Sequence, residues 1–229
     1  MTPSPPDYRP QGTVYGTLLN FKAERDAMAA QMAEPPYKAP PQAPVLFIKT
    51  ANTFNTSGGV VQVPEKVAEI EVGATFGMII GVADSSDSVP AAPLSIANQI
   101  AGFVLMNDLS VPHASYFRPP VKFKCLDGFL GVGHKRVPAE LAGDPSGFKL
   151  EVRINGVLKQ SVDFSNLHRD ALTLLRDVNE FMTLQAGDVL MLGAGAGRPL
   201  AKVGDRIDIN APGLPSLGTL SHTMVAEVL

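Results

Sequence analysis

The sequence predicts a β-rich α+β domain, and three observations carry that expectation. Short apolar runs of strand length recur along the chain, from 69–81 to 219–228. Gly, Pro and Asn-Gly punctuation separates them. Helical periodicity is confined to a few stretches, which is unlike the regular alternation of a doubly wound fold.

The elements follow in order. The proline-rich residues 1–12 read as a loose tail ahead of one domain spanning 13–229. TVYGTLLNF (13–21) alternates like a strand, and KAERDAMAAQMAE (22–34) is strong helix-forming material. Proline ends that helix, and PPYKAPPQAP (35–44) is an extended connection. VLFIK (45–49) is a short strand that delivers Lys49 to its end, and TANTFNTSGG (50–59) reads as a loop. Further strands are expected at 69–81, 102–108, 121–126, 148–154, 157–160, 188–193, 205–209 and 219–228. Asn155-Gly156 marks a hairpin between two of them. In SNLHRDALTLLRDVNEFMT, Ala171, Leu175, Val178 and Met182 recur at helical spacing, with Ser165 or Asn166 as the cap. A shorter helix is expected over 94–101.

Bulk composition narrows the function. A chain of 229 residues, 45% hydrophobic and 18% charged, has enough apolar material for a core without staples. A net charge of −3 with no basic stripe excludes a phosphate-backbone binder, so no nucleic-acid partner is expected. A single cysteine, Cys125, rules out an internal disulfide framework and suits a reducing compartment. MTPSPPDYRP lacks a basic segment followed by an apolar core, and the longest apolar runs fall far short of the roughly 20 residues that span a bilayer. A cytoplasmic protein with no membrane partner is the expectation.

The chemistry concentrates in NDLSVPHASYFRPPVKFKCLDGF (107–129). Asn107 and Asp108 end an apolar strand and therefore stand at a sheet rim. If 121–126 is a strand, Lys122 and Lys124 share a face opposite Phe123 and Cys125. Two readings remain open: an edge strand carrying charge against aggregation, or a pocket for a small polyanion with Arg118 as a carboxylate clamp. His113 is either a loop residue beside proline or an acid/base group. GAGAG (193–197) is either a tight loop or a backbone wall that lets a carboxylate approach closely. It is no dinucleotide fingerprint, since Pro199 follows where a helix should begin. Glu69 and Glu71, two positions apart in AEIEVGATFGMIIG (68–81), raise the question of a divalent metal against a solvated strand mouth.

AGFVLMNDLS, KCLDGF, LQAGDVLMLGAGAGR and KVGDRIDI together resemble the fumarylacetoacetate hydrolase superfamily, from about Gly16 to the C-terminus. PYKAPPQAPVLFIKTANT with SYFRPPVKFKCLDGF resembles a narrower group, the N-terminal-type subunit or domain of the 4-hydroxyphenylacetate (homoprotocatechuate) degradation isomerase/decarboxylases. The resemblance implies a mixed β-sandwich roll of the fumarylacetoacetate hydrolase C-terminal-domain type. It implies a homodimer or a complex with a homologous sister subunit, and a small polyanionic 2-oxo acid as substrate. It also implies Mg²⁺ or Mn²⁺ on three carboxylates, two of them in a Glu-x-Glu pair, and a substrate-contacting lysine before Asp-Gly-Phe. Mapped here, the third carboxylate is Asp108 and the lysine is Lys124.

The Glu-x-Glu positions are Gly73 and Thr75. Glu69 and Glu71 lie four residues upstream, roughly 13 Å along a strand, too far for metal–oxygen bonds of about 2.1 Å. Two of three ligands are therefore missing and no cofactor is expected. NFKAE places Glu24 where relatives carry a lid histidine, and the family's Gly-Thr-Pro reads Gly193-Ala194-Gly195.

Decarboxylation needs an electron sink, whereas isomerisation moves one proton between an enol oxygen and a carbon. The expectation is the isomerase step. Lys124 steadies the enolate oxygen, Asp108 orients Lys124, and Arg118, Tyr116, Lys122, Asp127, Gly193 and Ala194 join Lys124 in binding. Tyr116, His113 and Glu24 remain alternatives for moving the proton. The rival readings are a non-catalytic partner of a metal-containing sister chain, and a metal-dependent hydrolase or decarboxylase of another 2-oxo acid.

Overall fold

The computed structural model describes residues 7–81, 95–113 and 120–228. In chain order the elements are β1 (Val14–Leu18), α1 (Lys22–Ala33), β2 (Val45–Lys49), β3 (Phe54–Thr56), β4 (Val60–Val63), β5 (Ile70–Glu71), β6 (Ala74–Ile80) and β7 (Ile100–Asp108). Then follow α2 (Val121–Lys124), β8 (Leu130–Pro138), α3 (Ala139–Ala142), β9 (Lys149–Ile154), β10 (Val157–Asp163), α4 (Ala171–Asn179), β11 (Val189–Met191), β12 (Leu200–Ala201), β13 (Arg206–Asn210) and β14 (Thr219–Ala226). Seven strands form one mixed sheet in the order β2-β1-β11-β6-β7-β8-β3. Five form a second, β10-β9-β13-β14-β4, and β12 with β5 makes a two-stranded ribbon. This is the β-rich architecture the sequence predicts.

Alternation along the central strands builds two cores, one on each face of the larger sheet. Phe76, Met78, Phe103 and Leu105 pack with Leu150, Val152 and Ile209 of the smaller sheet and with Leu174, Leu175 and Val178 of α4. Phe148 and Phe164 close around Phe76 with ring centroids 4.7 and 5.1 Å away. The opposite face gathers Val14, Phe47, Ile79, Val104, Met106 and Met191 under Met28 and Met32 of α1. This second core carries the site at one end.

The β9–β10 hairpin turns on Asn155 and Gly156 with φ of 52° and 79°, the left-handed pair of a type I′ turn. Of the expected tail, residues 1–6 lie outside the described region. Tyr8 and Gly12 are tied by backbone hydrogen bonds to His134 and Gly187.

Four local expectations need correction. The run 121–126 is not a strand: Val121–Lys124 is a helical turn, in which Phe123 and Lys124 both donate to the Pro120 carbonyl. Pro120 lacks an N–H to contribute to a strand and suits the start of a turn. The expected helix at 94–101 is a short 3₁₀ turn, Ala97–Gln99, leading into β7, with residue 94 outside the described region. Asp170, not Ser165 or Asn166, caps α4, accepting from the Thr173 amide at 2.7 Å. The loop expected at 50–59 contains β3, and β4 and the long β8 were not foreseen.

Candidate active site

Three chain segments converge on one carboxylate. Asp108 ends β7, Lys124 ends α2 and Lys49 ends β2, and all three are buried. The Lys124 ammonium donates to Asp108 Oδ2 at 2.6 Å, and Lys49 Nζ lies 2.9 Å from Oδ1. Lys49 has three N–H bonds and three carbonyl acceptors, Leu109 at 3.0 Å, Lys124 at 2.6 Å and Phe129 at 2.9 Å. Its attraction to Oδ1 is therefore coulombic, with no hydrogen aimed at that oxygen. The Phe47 ring lies beneath Lys124 Nζ, 4.7 Å from centroid to nitrogen.

Burial alone would lift the Asp108 carboxyl, but Lys124, Lys49 and Arg198 outweigh it and hold it well below the usual carboxylate range. Burial pushes the Lys124 ammonium down, Asp108 pulls it partly back, and Arg198 and Lys49 push it down again, to about 8. Lys124 is thus poised to exist in both protonation states near neutral pH.

A second charged group lies beside the first. Arg198, in the loop between β11 and β12, donates through Nη2 to Glu24 Oε1 at 3.1 Å and approaches Glu71 Oε2 at 3.6 Å. The Arg198 and Glu24 side chains are 8% and 9% exposed, while that of Glu71 is 24% exposed. Burial raises the Glu24 carboxyl above its ordinary value, and Arg198, the Leu19 amide and Lys124 offset part of that rise. Glu24 sits in the first turn of α1, whose entry is fixed by Leu19 at φ 57° and by buried Asn20. The Asn20 amide group donates to the Arg169 and Leu192 carbonyls, and its oxygen accepts from the Arg169 amide. The entry to α1 is thereby stapled to the loop that carries Arg198 and to the loop before α4.

Of the residues singled out from sequence, Asp108, Lys124 and Glu24 are brought together. Lys122 is exposed on α2 while Lys124 is buried, so the two lysines do not share a face. His113 stacks on Phe123 with centroids 4.6 Å apart and its Nδ1 lies 2.9 Å from the Val111 carbonyl. Asp127 accepts from Asn52 at 2.6 Å, which fixes a surface turn. Gly193, at φ 106°, is pressed against the β1–α1 junction, where an added Cβ would lie 3.2 Å from that of Asn20. Ala194 is buried beside it. Tyr116 and Arg118 lie outside the described residues. Lys49 and Arg198 went unremarked as site residues.

The family's divalent ion does not fit these residues. Thr75 pairs with Met106, and the Asp108 amide donates to the Gly73 carbonyl at 2.9 Å, so positions 73, 75 and 108 share one sheet face. Carboxylates at 73 and 75 would converge with Asp108, but an added Cβ at Gly73 would meet the Asp108 carbonyl oxygen at 2.4 Å. Thr75 Oγ1 donates to the Phe76 carbonyl. Both Asp108 oxygens already face ammonium groups, Glu69 is exposed, and Glu71 faces Arg198. Among the described residues no three His, Cys, Asp or Glu side chains cluster to hold a metal. Gly73→Ala is expected to lower stability by about 1–3 kcal/mol through overpacking, read from urea unfolding. An unchanged midpoint would show that the strands part easily at this point.

Comparison with known proteins identifies the family. The family model described as fumarylacetoacetate (FAA) hydrolase C-terminal matches residues 13–225. The 4-hydroxyphenylacetate degradation bifunctional isomerase/decarboxylase of Salmonella dublin is 38% identical over 219 residues, covering 95% of this chain and 48% of that protein. Its Escherichia coli counterpart is 34% identical over 209 residues, covering 90% and 46%. The chain thus spans about half the length of these curated relatives. The crystal structure of 5-carboxymethyl-2-hydroxymuconate delta-isomerase from Mycobacterium smegmatis superposes with a TM-score of 0.71 at 25% identity, covering 95% of this chain and 80% of that one. Among the described residues no helix is long and apolar enough to cross a membrane. The chain belongs to the fumarylacetoacetate hydrolase C-terminal family.

Proposed function

We propose that this chain catalyses the isomerase step of 4-hydroxyphenylacetate breakdown, converting 2-hydroxyhepta-2,4-diene-1,7-dioate into the 2-oxo-3-ene isomer. The observation that carries the reading is the convergence of two buried ion pairs, Lys124 on Asp108 and Glu24 on Arg198, whose burial shifts Lys124 downward and Glu24 upward. Lys124, as ammonium, hydrogen-bonds the C2 oxygen and favours the dienolate, and the enol proton leaves to water. Glu24 in its acid form then delivers a proton to C5 and is reprotonated from solvent. One O–H proton is lost and one C–H bond is made, so the reaction needs no oxidant and no external electron sink. Asp108 positions the Lys124 ammonium rather than touching substrate.

The pH dependence follows from Lys124. Turnover requires its protonated form, so the rate is expected to fall as pH rises through about 8. A kcat/KM profile from pH 6 to 10, which reports the groups of the free enzyme and is followed by loss of the dienol ultraviolet band, tests this. A rate that stays flat to pH 10 would remove Lys124 from its role.

A second reading is favoured by coverage. The bifunctional relatives are about twice as long as the matched region. This chain would then be one half of such an enzyme, pairing with a homologous half that performs decarboxylation.

A further inference from the structure

Arg198, like Lys49, is a charged group of the site that neither composition nor spacing singled out, and its surroundings bear on how a substrate would enter. Its guanidinium is almost wholly buried, yet bridges two carboxylates of unequal exposure on different elements. Glu24 gives it only one oxygen, while Glu24 Oε2 accepts no hydrogen bond among the described residues. A buried carboxylate held by one oxygen is an incompletely satisfied acceptor. A planar guanidinium is best matched by a carboxylate that engages two of its N–H bonds at once. Gly73 has no side chain and Thr75 a short one, and they occupy the sheet face on which Asp108 stands.

We infer that Arg198 is the clamp for a substrate carboxylate and that it is loaded by exchange: the incoming carboxylate takes the guanidinium from Glu24, and Glu24 takes up a proton from solvent. The step balances as one carboxylate, one proton and one carboxylic acid. Freed of Arg198, Glu24 keeps the Leu19 amide and faces Lys124 on α2 and Asp108 at the end of β7; Lys49 on β2 lies against Asp108, and Glu71 on β5 faces Arg198. Lys124 is already paired with Asp108, whose negative charge opposes the pull of the ammonium on Glu24, so the loss of Arg198 leaves burial to favour the acid form. Ligand binding would thus place the acid form of Glu24 beside the bound molecule. This inference deepens the isomerase reading and rests on it for the use made of the proton, but binding and protonation can be read without turnover.

The test uses pimelate, a saturated seven-carbon dicarboxylate with no diene to isomerise. Calorimetric titration of the intact chain at pH 6.5 in two buffers of different ionisation enthalpy reports the protons taken up on binding. At that pH a lysine with pKa about 8 is already protonated and contributes little. The expected result is net uptake by the wild type and its loss in Glu24→Gln, which should bind pimelate at least as tightly. Arg198→Lys keeps the charge without the planar fork and should bind roughly tenfold more weakly or worse. Binding without proton uptake, uptake undiminished in Glu24→Gln, wild-type affinity in Arg198→Lys, or no binding at all would each overturn the exchange. Proton uptake by a protein that fails to turn over the diene would uphold the exchange while removing the isomerase assignment.

Discussion

Lys124→Met is expected to lower kcat for isomerisation by roughly 10²–10³-fold, the loss seen when one preorganised donor to a developing oxyanion is removed. Methionine nearly matches lysine in length and can lie on Phe47, which the Lys124 ammonium now covers at 4.7 Å. Asp108 would keep Lys49 at 2.9 Å, so the stability cost should stay near 1–3 kcal/mol. A large loss of rate with a modest change in unfolding midpoint separates chemistry from folding. Full activity in Lys124→Met would contradict the role assigned to the ammonium.

Asp108→Asn should have the largest effect on stability. It leaves two buried ammonium groups without their shared counter-charge, a change that typically costs about 3–5 kcal/mol. The sign of its pH dependence is fixed. The folded Asp108 carboxyl lies below its usual range, so its stabilisation is present above the unfolded value of about 3.9 and lost as pH falls through the folded value. Urea unfolding between pH 7 and pH 3 should show the gap between wild type and variant narrowing at the acid end. The variant also removes the charge that raises the Lys124 ammonium, so the alkaline limb of any residual activity should move below 8. A limb that stays in place would mean that Asp108 does not govern Lys124.

The central strands could be read from the sequence because their pattern is local. FVLM running into Asn107 and Asp108, and TFGMII, carry their own apolar signature, and both proved to be neighbouring strands of the large sheet. The run VKFKC misled because its apolar–polar alternation has period two, although the two prolines before it favour a turn. Strand β8 went unseen because Gly131 and Gly133 interrupt its apolar run; at both positions an added Cβ would crowd neighbouring groups, Gly131 against His222 and Gly133 against Leu105. The Asp108–Lys124 pair was legible from a strand end and a family motif. Lys49 was not, because its acceptors lie 60 to 80 positions away. Its one local sign is a lysine on the same strand face as Phe47, the buried side of VLFIK. Arg198 gave no sign at all: it follows a glycine run, and its partner Glu24 is 174 positions distant. The question of a metal at Glu69 and Glu71 resolves unevenly. Glu71 does reach the site, but it faces a guanidinium there, and Glu69 is exposed.

The measurement that bears most directly on the account is turnover of 2-hydroxyhepta-2,4-diene-1,7-dioate by this chain alone, with and without EDTA. A reaction carried by Lys124 and Glu24 should consume the dienol band faster than the spontaneous rate and at the same speed under both conditions. Acceleration that disappears with EDTA and returns with Mg²⁺ or Mn²⁺ would contradict it, placing the chemistry on an ion for which Gly73 and Thr75 provide no carboxylates.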